Sequence, residues 1–300
     1  MNRRRFLCAT SALAAATLTG CGGDGPPTVR VAAGEIGGFY HAFTTLLAAA
    51  DPGTVHIQPV TTTGSLANLE LLGRGDADAA LALADSVDVN PGHLVALGRV
   101  YENYLQFVVA AHSPLRTLAD LRGARISLGA PGSGATLTGE RLLRAAGLDP
   151  ATDVTVTHLG LRDAVTTLHD GGIDALLWAG GVPTGVLDIP RALRLLDLGD
   201  LAQPMRDRFG YLYDRVVIPA DAYPGSPAVR TIGVANLLVT TPELPDEAAA
   251  AVTELLITRA ERLVPTEAAG TQFLDARSLI GTNGVALHPG AVPVYRRYHG

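Results

Sequence analysis

The chain has 300 residues, 47% of them hydrophobic, and its 23 basic residues, all arginine, are outnumbered by 29 acidic ones for a net charge of -6. That length accommodates two ordinary domains, and the richness in Ala, Leu and Val is that of a folded α/β protein. The acidic balance excludes the electrostatics of a nucleic-acid binder, the more so because three arginines belong to the extreme N-terminus and leave 20 basic residues, or about -9, without them.

Arg3-Arg4-Arg5-Phe6-Leu7 forms a positive region, Cys8 to Leu18 an apolar run, and Leu18-Thr19-Gly20-Cys21 its end. This order resembles a bacterial lipoprotein signal, with residues 1–20 removed and Cys21 the lipidated residue. The Arg-Arg-x-Phe-Leu pattern also resembles a twin-arginine export signal. The apolar run is too short for a spanning helix. The reading implies an exported lipoprotein, periplasmic or at the cell surface, held to the membrane through Cys21 by a Gly- and Pro-rich tether over residues 21–28. The processed chain would hold no thiol.

From Val29 the pattern alternates strand and helix. A strand over Val29–Ala33 leads through Gly34-Glu35-Ile36-Gly37-Gly38 into a helical pattern over His41–Ala50, with Tyr40 in its first turn. A second strand, Val55–Val60, leads through Thr61–Gly64 into a helix capped by Ser65, and Asn68 lies one turn further on. Asp76–Leu83 reads as a buried strand ending at Asp85, a carboxylate placed to accept from a ligand amine or to cap a turn. Leu94–Val100 and Leu105–Ala111 read as two strands separated by Tyr101–Tyr104, the second of them crossing between domains.

The most informative stretch is Gly129-Ala130-Pro131-Gly132-Ser133-Gly134-Ala135-Thr136, between a strand over Ala124–Leu128 and a helix ending at Gly147. Glycines let a ligand approach the backbone, and Ser133 and Thr136 place hydroxyls beside the unpaired N–H groups of the helix start, a cradle for a carboxylate that needs no Lys or Arg. A strand over Val154–His158, a helix over Arg162–Asp170 and a strand over Ile173–Trp178 follow, so a parallel sheet is predicted in this third. Trp178 falls at a strand's C-terminal end beside Gly180 and Gly181, the edge where open α/β sheets bind ligands. A strand over Thr231–Val239 and helices over Asp246–Leu263 and Thr266–Ile280 complete the reading, with no internal repeat apparent. The eight histidines lack metal spacing, the dinucleotide pattern Gly-x-Gly-x-x-Gly is missing, and no catalytic constellation, metal or cofactor is predicted. A hydrolase using Ser133 or Ser65 with a histidine is the enzymatic alternative, weakened because no nucleophile elbow surrounds Ser65.

Six stretches in order, Gly34–Tyr40, Thr63–Leu69, Leu118–Gly123, Gly129–Gly134, Asp170–Ala175 and Gly180–Pro183, make the chain resemble the TAXI-type substrate-binding proteins of tripartite ATP-independent periplasmic (TRAP) transporters over Val29 to about Ala260. The resemblance implies a type II periplasmic-binding-protein fold of two lobes with ligand between them: residues 29–110 and 216–300 in lobe I, and 111–215 in lobe II. It also implies capture of a small carboxylate or amino acid such as glutamate or glutamine for a membrane permease; a sensor presenting ligand to a membrane receptor is the other non-enzymatic alternative. On the family pattern and the turn chemistry together, Gly37, Tyr40, Gly64, Ser65, Asn68, Asp85, Ser133, Gly134, Ala135, Thr136, Trp178 and Gly181 are the ligand-binding candidates, with three helix starts aimed at one anion. Ala135-Thr136 after Gly134 departs from the Thr-Glu common in the family.

Overall fold

The computed structural model describes residues 25–90, 92–265 and 274–299. Cys21 and the leader lie outside them. Val29 and Val31 bury completely while Thr28 is exposed, which makes β1 (Thr28–Ala32) a strand with one face on a core. The chain then crosses through α1 (Phe39–Ala50) to β2 (His56–Val60) and through α2 (Ser65–Arg74) to β3 (Ala79–Leu83). Both strands pair with β1 in parallel, one on each side, the arrangement that helical crossovers impose. A short α3 (Ala84–Asp88) follows β3 directly, so Asp85 is helical rather than in a loop.

β4 (Val95–Ala110) is one strand of sixteen residues, where two with a break at Tyr101–Tyr104 were expected. Tyr101, Glu102 and Asn103 are buried between the lobes, so hydrophobicity dips there without any bend in the backbone. Beyond it the first plan repeats. β5 (Arg125–Ser127) crosses through α4 (Gly134–Ala145) to β6 (Thr155–Thr157) and through α5 (Leu161–His169) to β7 (Ala175–Gly180), with β6 and β7 parallel to β5 on either side. The parallel sheet expected in this third is present, joined to antiparallel β4.

One clamp marks both copies. Arg30 bonds the two oxygens of Asp78 through Nε (2.9 Å) and Nη2 (2.7 Å) and the Gly75 carbonyl through Nη2 (2.8 Å). Arg125 bonds Asp174 (3.2 and 2.7 Å) and the Gly171 carbonyl (2.9 Å) with the same atoms. The expectation of no internal repeat is corrected. The two units share little more than a leading arginine and Gly-x-x-Asp-Ala (Gly75 to Ala79, Gly171 to Ala175), too sparse to show as sequence periodicity.

After β8 (Leu193–Leu195), α6 (Ala202–Phe209) and β9 (Tyr213–Ile218), the chain returns along β10 (Val229–Thr240). β4 and β10 lie antiparallel from Val95/Thr240 to Tyr104/Gly233 and then part: β4 continues against β7 and β8, and β10 runs to β9. The pairing of these two strands with each other therefore ends at Tyr104 and Gly233. The ladder runs β2-β1-β3-β10-β4-β7-β5-β6. α7 (Asp246–Thr258), α8 (Ala276–Leu279) and α9 (Ala291–His299) close the chain. Residues 266–273 of the expected helix over Thr266–Ile280 lie outside the described residues; α8 is what is described of it.

The sheet is covered on both faces in each lobe. In lobe I, Phe43 and Leu47 of α1 share a core with Val252 and Leu256 of α7 and Val294 and Tyr295 of α9 lie buried nearby, while Leu69 and Leu72 of α2 cover the other face with Val87. In lobe II, Leu142 and Leu143 of α4 pack with Met205 of α6, and Ala164 and Leu168 of α5 lie opposite. None of the described helices is long and apolar enough to cross a membrane.

Candidate functional site: an interlobe cleft at the strand ends

Every parallel strand ends at one gap, and each strand-to-helix turn contributes to its wall. From lobe I come Gly34, Glu35, Gly38, Phe39 and Tyr40 after β1, Thr63, Gly64 and Ser65 after β2, and Leu83 at the end of β3. Lobe II supplies Gly129, Ala130, Ser133, Gly134 and Ala135 after β5, Leu159 and Leu161 after β6, and Leu176 to Gly180 of β7. Tyr101 and Asn103 of the crossing strand form the floor. The cavity enclosed between them is about 70 Å³.

Of the residues expected from sequence, Tyr40, Gly64, Ser65, Ser133, Gly134, Ala135 and Trp178 stand on this cleft. The others do not line it, each for a local reason. Asn68 is fully buried, donating to the Leu81 carbonyl (2.6 Å) and accepting from Thr62, so it ties α2 to β3. Asp85, also fully buried, accepts from Thr138 (2.6 Å) and Tyr213 (3.1 Å) of lobe II, which makes it an interlobe tie and not a partner for a ligand amine. Burial pushes its carboxyl above the usual range, opposed by those two bonds and by Arg141. Thr136 turns back to the Leu128 carbonyl, and the Gly181 carbonyl accepts from Thr184 (2.7 Å). Gly37 lies exposed in a vestibule outside the cleft, near Arg162 and Trp178.

Of the three helix starts expected to face one anion, that of α2 is taken up by the opposite lobe. The Leu66 and Ala67 amides of α2 both donate to the Gly132 carbonyl of lobe II, at 3.0 Å each. Helix starts need an acceptor, and here the opposite lobe supplies it. By contrast, the amides of Phe39 and Tyr40 in α1, and of Gly134 and Ala135 in α4, have no acceptor among the described residues. Ser133 Oγ lies beside the latter pair, buried and without a hydrogen-bond partner. Close approach at this point depends on glycine: a Cβ on Gly64 would stand 3.1 Å from the Ser133 Cα, and one on Gly134 2.6 Å from Ser65 Oγ.

One polar group of the floor was missed from sequence. Asn103, 4% exposed, donates Nδ2 to the Ala179 carbonyl (3.0 Å). A carbonyl only accepts, so this bond fixes the amide's orientation and leaves Oδ1 as a buried acceptor with no partner. Tyr40 donates to Asn236 Oδ1 and meets Ser65 Oγ at 3.1 Å; burial drives its phenol far above the ordinary value, so it stays a neutral donor. Phe39, Leu83, Leu159, Leu161, Leu176 and Leu177 make the remaining wall apolar, with Trp178, whose indole N–H is satisfied by Thr184 (3.0 Å), while Tyr101 adds a buried hydroxyl without a hydrogen-bond partner. Gly180 leaves room for that indole, since a Cβ there would collide with its Nε1. Among the described residues, Glu35 is the only charged one on the cleft. Among the described residues no cluster of His, Cys, Asp and Glu is arranged for a metal.

Two α/β lobes joined by paired crossing strands, with a cleft between them at the strand ends, define the chain as a protein of the periplasmic-binding-protein fold. The same fold is seen in a protein of Bordetella bronchiseptica RB50 (TM-score 0.60, 16% identity, 91% of this chain and 98% of that one). It recurs in XAC2383 from Xanthomonas citri bound to ATP (0.53, 14%, 91% and 99%) and in PhnD1 from Prochlorococcus marinus MIT 9301 in complex with methylphosphonate (0.51, 13%, 78% and 85%). Over residues 31–297 the chain matches the NMT1-like family, and it belongs to that family.

Proposed function

We propose that the protein is an exported solute receptor that captures a small monoanion with an apolar body between its lobes and hands it to a membrane permease. The observation that carries this reading is Ser133 Oγ, buried without a partner on the cleft beside the open amides of Gly134 and Ala135. An unsatisfied buried hydroxyl costs about 1–3 kcal/mol, and an oxyanion at the start of α4 would satisfy it together with both amides. Among the described residues no arginine or histidine lines the cleft, so a single carboxylate suits it better than the two of glutamate. The absence of histidine from the lining also argues against serine hydrolysis, which needs a base within hydrogen-bond reach. Delivery to a TRAP permease and anchoring through Cys21 are the further parts of the proposal, supported by the six motif stretches and the leader.

Thermal-shift titration of the chain from Gly22 onward with aliphatic and aromatic monocarboxylates, dicarboxylates and amino acids tests the reading. Monoanions with apolar bodies should raise the melting temperature in proportion to the logarithm of their concentration. Stabilisation by dicarboxylates alone, or by nothing in the panel, overturns it. Palmitate labelling that disappears in Cys21→Ser tests the anchor separately.

A further inference from the structure

Asn103 Oδ1 and the Glu35 carboxylate can only accept, whereas the other open groups of the cleft, the helix-start amides and the Ser133 and Tyr101 hydroxyls, can donate. The Asn103 amide cannot turn over, because Nδ2 is held by the Ala179 carbonyl. Its Oδ1 is therefore a fixed, buried acceptor, and a simple carboxylate ligand has nothing to donate to it. Glu35 is half-buried in the turn between β1 and α1, on the cleft and on the vestibule outside it. Its carboxylate faces Gly160 at the start of α5, where a Cβ would stand 3.5 Å from Oε1. No hydrogen bond or ion pair engages its oxygens among the described residues. Arg162 stands in the same vestibule without pairing to it within 4.0 Å, and Asp163 raises its pKa further beyond the effect of burial. A carboxylate so placed gains most from a cation.

We propose that the ligand carries an ammonium group as well as its carboxylate, the first received by Glu35 and Asn103 Oδ1, the second by Ser133 and the α4 start. The apolar wall of Phe39, Leu83, Leu159, Leu161 and Trp178 then takes an uncharged side chain, so the ligand class is an amino acid with an aliphatic or aromatic side chain. This rests on the receptor reading above and adds the amine that reading does not require. Glu35 occupies the role that the sequence had offered to Asp85.

The test is calorimetric titration of wild type and Glu35→Gln with L-leucine and L-phenylalanine, and with their amine-free counterparts 4-methylpentanoate and 3-phenylpropanoate. Wild type should bind one of the amino acids at least about tenfold more tightly than its counterpart. Glu35→Gln should remove most of that ratio by weakening the amino acid, while the amine-free acid binds at least as tightly as to wild type because a like charge has left the cleft. Amine-free acids binding as well as the amino acids, or a ratio undiminished in Glu35→Gln, overturns the proposal and leaves the receptor reading standing. If neither class binds wild type, both fall.

Discussion

Ser133 is a hydroxyl whose worth depends on what fills the space beside it. Its oxygen is desolvated and unpaired; with an oxyanion at the α4 start it becomes a charge-assisted donor. Ser133→Ala should therefore cost about 1–3 kcal/mol of binding, read by calorimetry, while the apo melting temperature stays level or rises. A matching loss of apo stability would mean that the hydroxyl has a structural partner. At this scale, what could be read from sequence divides by distance along the chain. Tyr40, Ser65, Ser133 and Gly134 lie in turns whose glycine and hydroxyl chemistry is local, and local patterns place them on the cleft. Asn68 and Asp85 have equally suggestive neighbours, but their fate is decided by Leu81 and by Thr138, partners that no local pattern reveals. Glu35 belongs to the glycine turn before α1, yet only the approach of Gly160 from the other lobe shows what it faces.

Among the elements, β4 departs most from its pattern, and the reason is also its most testable property. Glu102 lies in mid-strand opposite Ala235, 3% exposed, with Arg99 at 3.5 Å and Asp214 near. Burial raises its carboxyl to about 7, Asp214 adds to the rise, and Arg99 opposes both. Because the folded chain holds this proton more tightly than the unfolded one, the contribution to stability is complete below the unfolded value of 4.5 and is lost as pH climbs through about 7. Wild type should lose up to about 3 kcal/mol relative to Glu102→Gln between pH 5 and pH 8. Urea midpoints for the two proteins at both pH values measure it, and parallel behaviour would place the titration elsewhere. The same buried polar stretch is why two strands were expected here: a dip in hydrophobicity reads as a turn unless it is known that both faces are covered. The short β5 and β6, by contrast, announce themselves through the glycine turns and helices that follow.

Across the whole molecule, the contact that holds the lobes together at the rim is made of backbone. The Gly132 carbonyl of lobe II accepts from the Leu66 and Ala67 amides of lobe I. Gly132 has φ of 81°, and a Cβ on it would come within 2.8 Å of Thr63 Oγ1. Gly132→Ala should strain the turn by about 1–2 kcal/mol and meet Thr63 only when the lobes are together. Affinity should therefore fall while the separated lobes keep their folds, and small-angle scattering with saturating ligand should show a larger radius of gyration than wild type. An unchanged closed radius would remove this contact from the closing motion. The fork at Tyr104 and Gly233 carries one more implication. The span from 105 to 232 departs and comes home on adjacent rungs of a ladder, so it behaves as a guest seated through a single doorway. Grafting the corresponding span of a relative there asks for no new linker, and half of the cavity wall can be traded, by recombination or by design, while the host half and its outer helices stay as they are.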